Sequence, residues 1–281
     1  MENLRYYDPI TNEDRGEVPN IFTIEDAMRK IENAEHRKSK DETSLFMSEK
    51  YGSFYFLFYK LNSSNIEKQY IIKFLYLCTY MDYDNKLVYG SNRRYMREDD
   101  LPEVLKLSIN AANKTKTALI LNGLMSISKD GNMTINKEYC LRGKIMKDQK
   151  KSMKTRLFEN AIRELYEKAT PREHGKLALL ITLLPFINFN YNTICDNPEA
   201  EFEYQIKAKN LKDICKIVGY SERNVKRLKM DLLSLRVGGE LVIAIVETGI
   251  SQTVTINSRI YYRGSNLEAI NELWNYFLIK N

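Results

Sequence analysis

The chain has 281 residues, of which 43% are hydrophobic and 28% are charged. This is the composition of a folded protein of roughly two domains, and it excludes a disordered or fibrous chain. The longest apolar stretch, residues 177–189, is shorter than the ~20 residues that cross a bilayer, and the polar, acidic N-terminus is unlike a secretory signal. We therefore expect a cytoplasmic protein with no membrane partner. Its net charge of +6 permits a nucleic-acid partner without requiring one.

The first segment, residues 1–50, is charged and contains few large apolar side chains. Its pattern predicts an N-terminal arm that is partly helical, with a helix at about residues 23–34. The aromatic run that follows, residues 51–59, predicts a strand or a segment packed in the core.

The first folded domain is predicted over residues 51–145. Apolar residues spaced by three and four indicate a short helix at 99–107, a turn at 108–110 and a second helix at 111–124. Two short strands, at 125–128 and 132–139, are separated by a turn that contains Lys129 and a glycine, which predicts a β-hairpin.

A basic segment, residues 146–171, connects this domain to the next one. Helical periodicity at about residues 150–169 predicts a connecting helix. We expect Lys150, Lys151 and Lys154, near its start, to face DNA phosphates.

The second domain, residues 172–264, repeats the first. The Thr-Ile-Asn sequence at 134–136 recurs at 255–257, and in both places an Arg-Gly pair follows at the same distance. Helical patterns at 100–107 and 210–217 also match. Such a long period predicts two copies of a whole domain.

The second copy has clear local signals for the ends of its helices. Residues 211–218 predict a helix that Gly219 ends in the left-handed conformation. Ser221 is a good N-cap for a second helix at 221–233, since its hydroxyl can accept an otherwise unpaired amide. Strands at 240–246 and 253–260 predict a hairpin around residues 247–252.

The last segment, residues 265–281, has an amphipathic helical pattern. We expect this C-terminal helix either to pack on the second domain or to pair two chains in a homodimer.

This order of elements, a helix–turn–helix followed by a β-hairpin, resembles the winged helix-turn-helix superfamily. Its doubling in one chain is similar to the replication initiators of plasmids and phages and to phage regulators. The resemblance covers about two thirds of the chain. It implies an α+β fold, mostly helical with small hairpin wings, in which two tandem winged-helix domains are joined by a helix.

The resemblance implies that the second helix of each pair enters the major groove of double-stranded DNA. In the second copy the predicted DNA-binding residues are Ser221, Arg223, Asn224, Lys226, Arg227, Lys229 and, in the hairpin, Gln252. In the first copy they are Asn110, Asn113, Lys114, Lys116, Thr117 and, in the hairpin, Lys129. The first copy has no arginine at these positions, which predicts weaker or less selective contact there.

No catalytic site is expected. Walker, Rossmann and HExxH motifs are missing, and a tyrosine recombinase would need a histidine two residues from an arginine around its nucleophile. The four cysteines lack CxxC spacing and the two histidines, His36 and His174, are far apart, so we expect no metal and no other cofactor.

Three biological roles fit these expectations. The first is an origin-binding replication initiator of a plasmid or phage, acting with replication proteins. The second is a transcriptional repressor or activator of a phage or mobile element, acting with the transcription machinery. The third, of another class, is an adaptor that uses its winged helices to hold a protein partner. Repeated sites beside the gene would favour the first role, a promoter palindrome the second, and failure to bind any duplex the third.

Overall fold

A computed structural model describes residues 5–7, 11–17, 24–64, 66–145, 147–170, 173–248 and 251–279. The chain divides into two compact units, residues 1–42 and 43–281. The first unit contains an antiparallel pair of strands, β1 (Arg5–Tyr7) and β2 (Asp14–Glu17), and most of helix α1 (Ile24–Tyr51).

Helix α1 is much longer than the helix predicted at 23–34, whose first residue lies outside the described residues. The stretch 35–50 contains no glycine or proline and many residues of high helix propensity, so nothing in it ends the helix.

The second unit contains two successive series of elements. The first series consists of β3 (Phe54–Phe58), α2 (Lys68–Cys78), β4 (Val88–Tyr89), β5 (Arg94–Tyr95), α3 (Leu101–Val104), α4 (Ile109–Leu121), β6 (Met125–Ile127), β7 (Met133–Ile135) and β8 (Cys140–Leu141). The second series consists of β9 (Lys154–Phe158), α5 (Glu159–Lys168), α6 (His174–Leu183), α7 (Leu211–Val218), α8 (Val225–Leu233), β10 (Arg236–Val237), β11 (Glu240–Leu241), β12 (Ile243–Thr248), β13 (Ser251–Ile256) and β14 (Tyr261–Tyr262). A last helix, α9 (Leu267–Ile279), follows. The chain is thus a mixed α+β structure with small antiparallel sheets.

Several predicted elements are confirmed. Helix α7 has the predicted bounds, α9 forms in the C-terminal segment, and the aromatic run forms β3. The helix predicted at 221–233 is present, but its first turn, Glu222–Asn224, is a 3₁₀ helix. Helix α4 begins two residues earlier than predicted, so Asn110 lies in the helix and not in a turn.

The expected loop at 247–252 is shorter in the structure. Glu247 lies opposite Gln252 in the ladder of β12 and β13, which therefore continues into the segment predicted to be loop. Residues 249 and 250 lie outside the described residues.

The predicted connecting helix at 146–171 is wrong in its first part. Residues Lys154–Phe158 form strand β9, and helix α5 begins only at Glu159. Strand β9 pairs with β3 on one side and with β14 on the other, about 100 residues away in each direction. Such long-range pairing overrides local helical periodicity, because it supplies all the backbone partners of a buried segment. Residues 146 and 171, the first and last of the predicted connecting segment, lie outside the described residues.

The central sheet has the strand order β14-β9-β3-β8, so its middle pair joins the two series of elements. In that antiparallel pair Phe56 lies opposite Arg156. Strand β3 takes β8 of its own series on its outer edge, and β9 takes β14 of its own series. The sheet is therefore symmetric in strand order about the Phe56–Arg156 pair, and the local two-fold axis of this antiparallel pair relates β3 and β8 to β9 and β14.

Two buried asparagines show that the series repeat each other in detail. The Asn85 amide donates to the carbonyls of Ile135 and Cys140 at 3.2 and 2.7 Å. In the second series the Asn192 amide donates to the corresponding carbonyls, those of Ile256 and Tyr261, at 3.1 and 2.8 Å. Each Thr-Ile-Asn sequence is thus bound in an equivalent way by the side chain of a buried asparagine. We call each of these two sites an asparagine corner.

The core runs through both series without a break. At its centre α2 packs against α6, and both helices are buried along most of their length, as expected of helices that are apolar on nearly all faces. The second series contains two elements without a counterpart in the described part of the first, helix α5 and the β10–β11 hairpin. The hairpin lengthens the connection between α8 and β12 and so contributes to the increasing spacing of the repeat.

Candidate nucleic-acid interface

The helices expected to meet DNA are defined by local capping. The Ser108 hydroxyl accepts an amide from the first turn of α4, and the Ser221 hydroxyl accepts the amide of Arg223 at 3.4 Å. Helix α7, which precedes α8, is bounded by the Asn210 side chain at its start and by Gly219 at its end, where φ is 79°. A left-handed residue followed by a serine cap turns the chain from one helix into the next.

Counting residues from the two capping serines aligns α4 with α8. Seven and eleven positions after Ser108, Thr115 and Leu119 are fully buried. Seven and eleven positions after Ser221, Leu228 and Leu232 are fully buried as well. The helices therefore turn equivalent faces to the core, and equivalent positions remain for solvent or a ligand.

The exposed face at the start of α8 is basic. Arg223, Asn224, Lys226 and Arg227 are all exposed, as predicted from their positions. Within the part of the chain that the structure describes, Arg223 and Lys226 have no ion-pair partner. The Arg227 side chain is 74% exposed and lies 3.8 Å from Asp231, and such a surface pair contributes little.

Two other predicted residues of the second series serve the fold. Lys229 is half-buried and pairs with Glu247 of β12 at 2.8 Å. The Gln252 side chain donates to the same carboxylate at 3.3 Å and accepts the amide of Leu211 at 3.3 Å. Lys229 and Gln252 thus join α8, the hairpin and the start of α7, and their polar groups point toward protein partners.

The exposed face of α4 is polar but carries less positive charge than the exposed face of α8. Its exposed predicted residues are Asn110, Asn113, Lys114 and Thr117. Lys116 turns back and pairs with Glu98, ahead of the helix. Lys114 is therefore the single cation of α4 without an ion-pair partner among the described residues.

Sequence reasoning missed two apolar residues at the ends of α4. Ile109 is 67% exposed and Leu121 is 80% exposed. An apolar residue in a helical pattern is expected in the core, so periodicity gives no signal for either one. The signal for Ile109 is its place directly after the serine cap, where the helix start projects from the domain.

The predicted lysines outside the helices differ in their roles. Lys129 is exposed at the tip of the β6–β7 hairpin, and Lys150 and Lys151 are exposed in the loop before β9. The Lys154 ammonium group instead donates to three carbonyls of residues 149–152, at 2.8–3.2 Å. It holds the loop together and does not project from it.

The basic region around α7 and α8 is less positive than its composition indicates. Lys209 pairs with Asp196, and Lys216 pairs with Glu222 at 3.1 Å. The exposed lysines and arginines of residues 205–230 that have no ion-pair partner within the described ranges are Lys207, Lys212, Arg223 and Lys226. Unpaired charge is thus concentrated at the starts of the two helices.

A cluster of charged side chains that the sequence did not indicate lies near the end of α2. Arg93, Arg142 and Arg163 line a cavity of about 310 Å³ around the buried Glu159. Burial raises the pKa of this carboxyl group, although the arginines oppose the shift. Arg142 lies 3.1 Å from Glu159 and also donates to the Met81 carbonyl at 2.6 Å, so it ties the end of the first series to the start of α5.

Comparisons of the chain with protein families, with curated proteins and with solved structures find no match. Within the described ranges no helix is both long and apolar enough to span a bilayer. The same residues contain no group of three or more histidine, cysteine, aspartate or glutamate side chains placed to hold a metal ion.

Proposed function

We propose that residues 43–281 bind double-stranded DNA, without catalysis, through two winged helix-turn-helix domains. Helices α4 and α8 are the recognition helices, and the β6–β7 and β12–β13 hairpins are the wings. The observation that carries this proposal is the exposed start of α8. There Arg223, Asn224, Lys226 and Arg227 project from a capped helix, and two of the three cations have no acidic partner among the described residues.

Physical chemistry favours an anionic ligand at this place. The amides at a helix start carry partial positive charge, and exposed lysine and arginine side chains add to it. Like charges on one helix face repel each other unless a polyanion covers them. Arginine and asparagine also have the paired donors and acceptors that read base edges in the major groove.

The symmetric strand order of the central sheet supports a further property of the DNA site. We propose that the same symmetry relates α4 to α8, so that the two helices meet a duplex in opposite orientations. Paired recognition helices related in this way read half-sites in inverted orientation. Because α4 and α8 differ in sequence, the site is an imperfect inverted repeat.

For the biological role we propose origin binding during replication of a plasmid or phage, in the cytoplasm. Regulation of transcription on a phage or mobile-element promoter is the alternative with the same contacts. Sites repeated beside the gene favour replication, whereas one site that overlaps a promoter favours regulation. An adaptor role would use the same helices to hold a protein.

The test is the binding of labelled duplex DNA to the purified chain, measured by fluorescence anisotropy at increasing salt concentrations. We expect affinity to fall steeply with salt because bound phosphates release counterions. Arg223→Ala with Lys226→Ala should weaken binding at least tenfold. The matched control is Lys106→Ala with Lys168→Ala, which removes the same charge from exposed pairs elsewhere and should change binding little. Failure of the purified chain to bind any duplex at low salt would contradict the proposal and favour the adaptor.

A further inference from the structure

The two exposed helices bury equivalent positions but have different chemistry at matched exposed positions. Counting from Ser108 and Ser221 pairs residues of α4 with residues of the α8 region. The exposed pairs are Ile109 with Glu222, Asn110 with Arg223, Asn113 with Lys226, Lys114 with Arg227, and Thr117 with Met230. An arginine of the second series thus matches an asparagine or a lysine of the first.

We infer that the two halves read DNA of different base composition: a guanine-containing half-site under α8 and an A·T-rich half-site under α4. This inference rests on the proposed function and specifies its ligand. It also refines the expectation of weaker or less selective contact by the first copy, since α4 has its own set of base-reading groups.

Guanine recognition by α8 follows from its arginines. A guanidinium group can donate two parallel hydrogen bonds to O6 and N7 of guanine, the commonest specific contact in the major groove. Arg223 is exposed and without an acidic partner among the described residues, and the exposed Arg227 has a 3.8 Å pair with Asp231 and a contact over the Tyr220 ring. Both side chains can reorient toward a base at little cost.

Recognition of A·T pairs by α4 follows from its amides and methyl groups. The Asn110 and Asn113 side chains are exposed, and a carboxamide can bond to both N6 and N7 of adenine. Ile109 places an apolar side chain, 67% exposed, at the start of the helix, and Thr117 adds a methyl group on the exposed surface. Thymine is the base whose C5-methyl group offers an apolar partner in the major groove.

The exposed Ile109 side chain contributes little to the core. It leaves most of an apolar side chain in water, where burial would be favourable. At the matched position of the second series stands Glu222, whose carboxylate pairs with Lys216. The apolar residue is therefore not required by the fold at this position, which favours a role in contacting a ligand.

The experiment starts from a duplex that the chain selects from a random pool. In one arm, uracil replaces thymine in each half-site separately, which removes only the methyl group. In the other arm, 7-deazaguanine replaces guanine in each half-site separately, which removes the N7 acceptor. We expect uracil to weaken binding about fourfold per contacted methyl group in one half-site only. We expect 7-deazaguanine to weaken it about tenfold in the other half-site only.

Protein variants then assign each half-site to its helix. Ile109→Ala should reduce the effect of uracil to the part that Thr117 contributes and leave the effect of 7-deazaguanine unchanged. Arg223→Ala should reduce the effect of 7-deazaguanine and leave the effect of uracil unchanged. The effects of a protein change and a DNA change are not additive when the two altered groups contact each other. Both residues are exposed, so both variants should fold normally.

The outcomes separate this inference from the proposed function. If no duplex is selected, DNA binding itself is contradicted. If a duplex is selected but uracil has no effect in either half-site, or guanine N7 matters in both, DNA binding stands and the difference between the halves is contradicted. If Ile109→Ala leaves the uracil effect intact, Ile109 does not contact thymine.

Discussion

Phe56 and Arg156 lie opposite each other in the central pair of strands, and each is the counterpart of the other in the repeat. The Arg156 guanidinium lies 6.0 Å from the centre of the Phe56 ring and 5.8 Å from that of Phe54. It also donates to the Gly264 carbonyl at 3.0 Å. The local two-fold axis of the central sheet therefore passes through an asymmetric pair, in which a buried cation stabilised by aromatic rings joins the two series.

The buried asparagine corners should be equally important in both series. Asn192→Ala leaves two buried carbonyls without a donor and places alanine at a φ of 52°. We expect it to lower the free energy of unfolding by about 2–4 kcal/mol, and Asn85→Ala to do the same. Urea denaturation measures both.

The control for this pair is Asn33→Ala, on the exposed surface of α1, which should change stability little. If only one of the two corner variants is destabilised, the corners are not equivalent and the approximate symmetry is superficial.

Gly219 tests the turn that positions α8. Its φ of 79° disfavours any side chain, while an added Cβ would meet no atom within 4 Å. Gly219→Ala should therefore cost about 1 kcal/mol through backbone strain alone, and it should weaken DNA binding by disturbing the turn.

Gly175→Ala is the matched control for Gly219→Ala. It also places a Cβ in open space, but within helix α6 and without a positive φ. Since alanine is the better helix former, this variant should be neutral or slightly stabilising. Equal thermal stability of the two variants would show that the left-handed turn is not a constraint.

The buried environment of His174 predicts that the protein loses stability at acidic pH. The side chain is 3% exposed, stacks on Tyr166 at 4.6 Å, and has a buried ring nitrogen without a hydrogen-bond partner. Burial, reinforced by the charge of Lys73, lowers the pKa of this imidazole. Stability from the neutral ring is present above pH about 6.5 and is lost as the pH falls through the lowered pKa of the folded state.

His174→Phe preserves the ring stacking and removes the titration. We expect the Tm of the natural chain to fall more between pH 7.5 and 5.5 than the Tm of this variant. Each kcal/mol corresponds to roughly 2–4 °C in a protein of this size. The same fall in both proteins would mean that another group controls the acid response.

Arg223→Ala combined with Arg227→Ala should abolish sequence-specific DNA binding while the Tm stays within a few degrees. Both side chains are exposed, and among the described residues the variant loses the 3.8 Å pair of Arg227 with Asp231 and the contact of Arg227 with the Tyr220 ring. Competition between the selected duplex and a scrambled one measures the specific part of the affinity. Intact specific affinity in this variant would remove α8 from the reading role.

Local signals in the sequence were sufficient to predict helices α7 and α8. Gly219 and Ser221 mark their ends by backbone and capping chemistry that depends on a few neighbouring residues, and the structure has both features. The Thr-Ile-Asn repeat was visible for the same reason. The partners of this repeat, Asn85 and Asn192, were not, because an asparagine in a loop gives no sign of being buried.

Long-range contacts determine the features of the fold that the sequence pattern could not indicate. Strand β9 forms because β3, a hundred residues earlier, lies beside it, and helical periodicity cannot indicate this. The hydrogen bonds that Lys154 and Gln252 make with protein atoms depend on how a loop and a hairpin close, which the sequence pattern does not indicate. Charge along the sequence likewise overestimates exposed charge where acids such as Glu247 lie nearby in space.

The most direct test of the account is selection from a pool of random duplexes with the purified chain, followed by hydroxyl-radical footprinting of the enriched sequence. We predict that one chain protects two half-sites in inverted orientation, and that Arg223→Ala with Arg227→Ala removes protection from one of them only. A single continuous half-site, protection unchanged in that variant, or no enrichment at low salt would contradict DNA recognition by two helices of one chain.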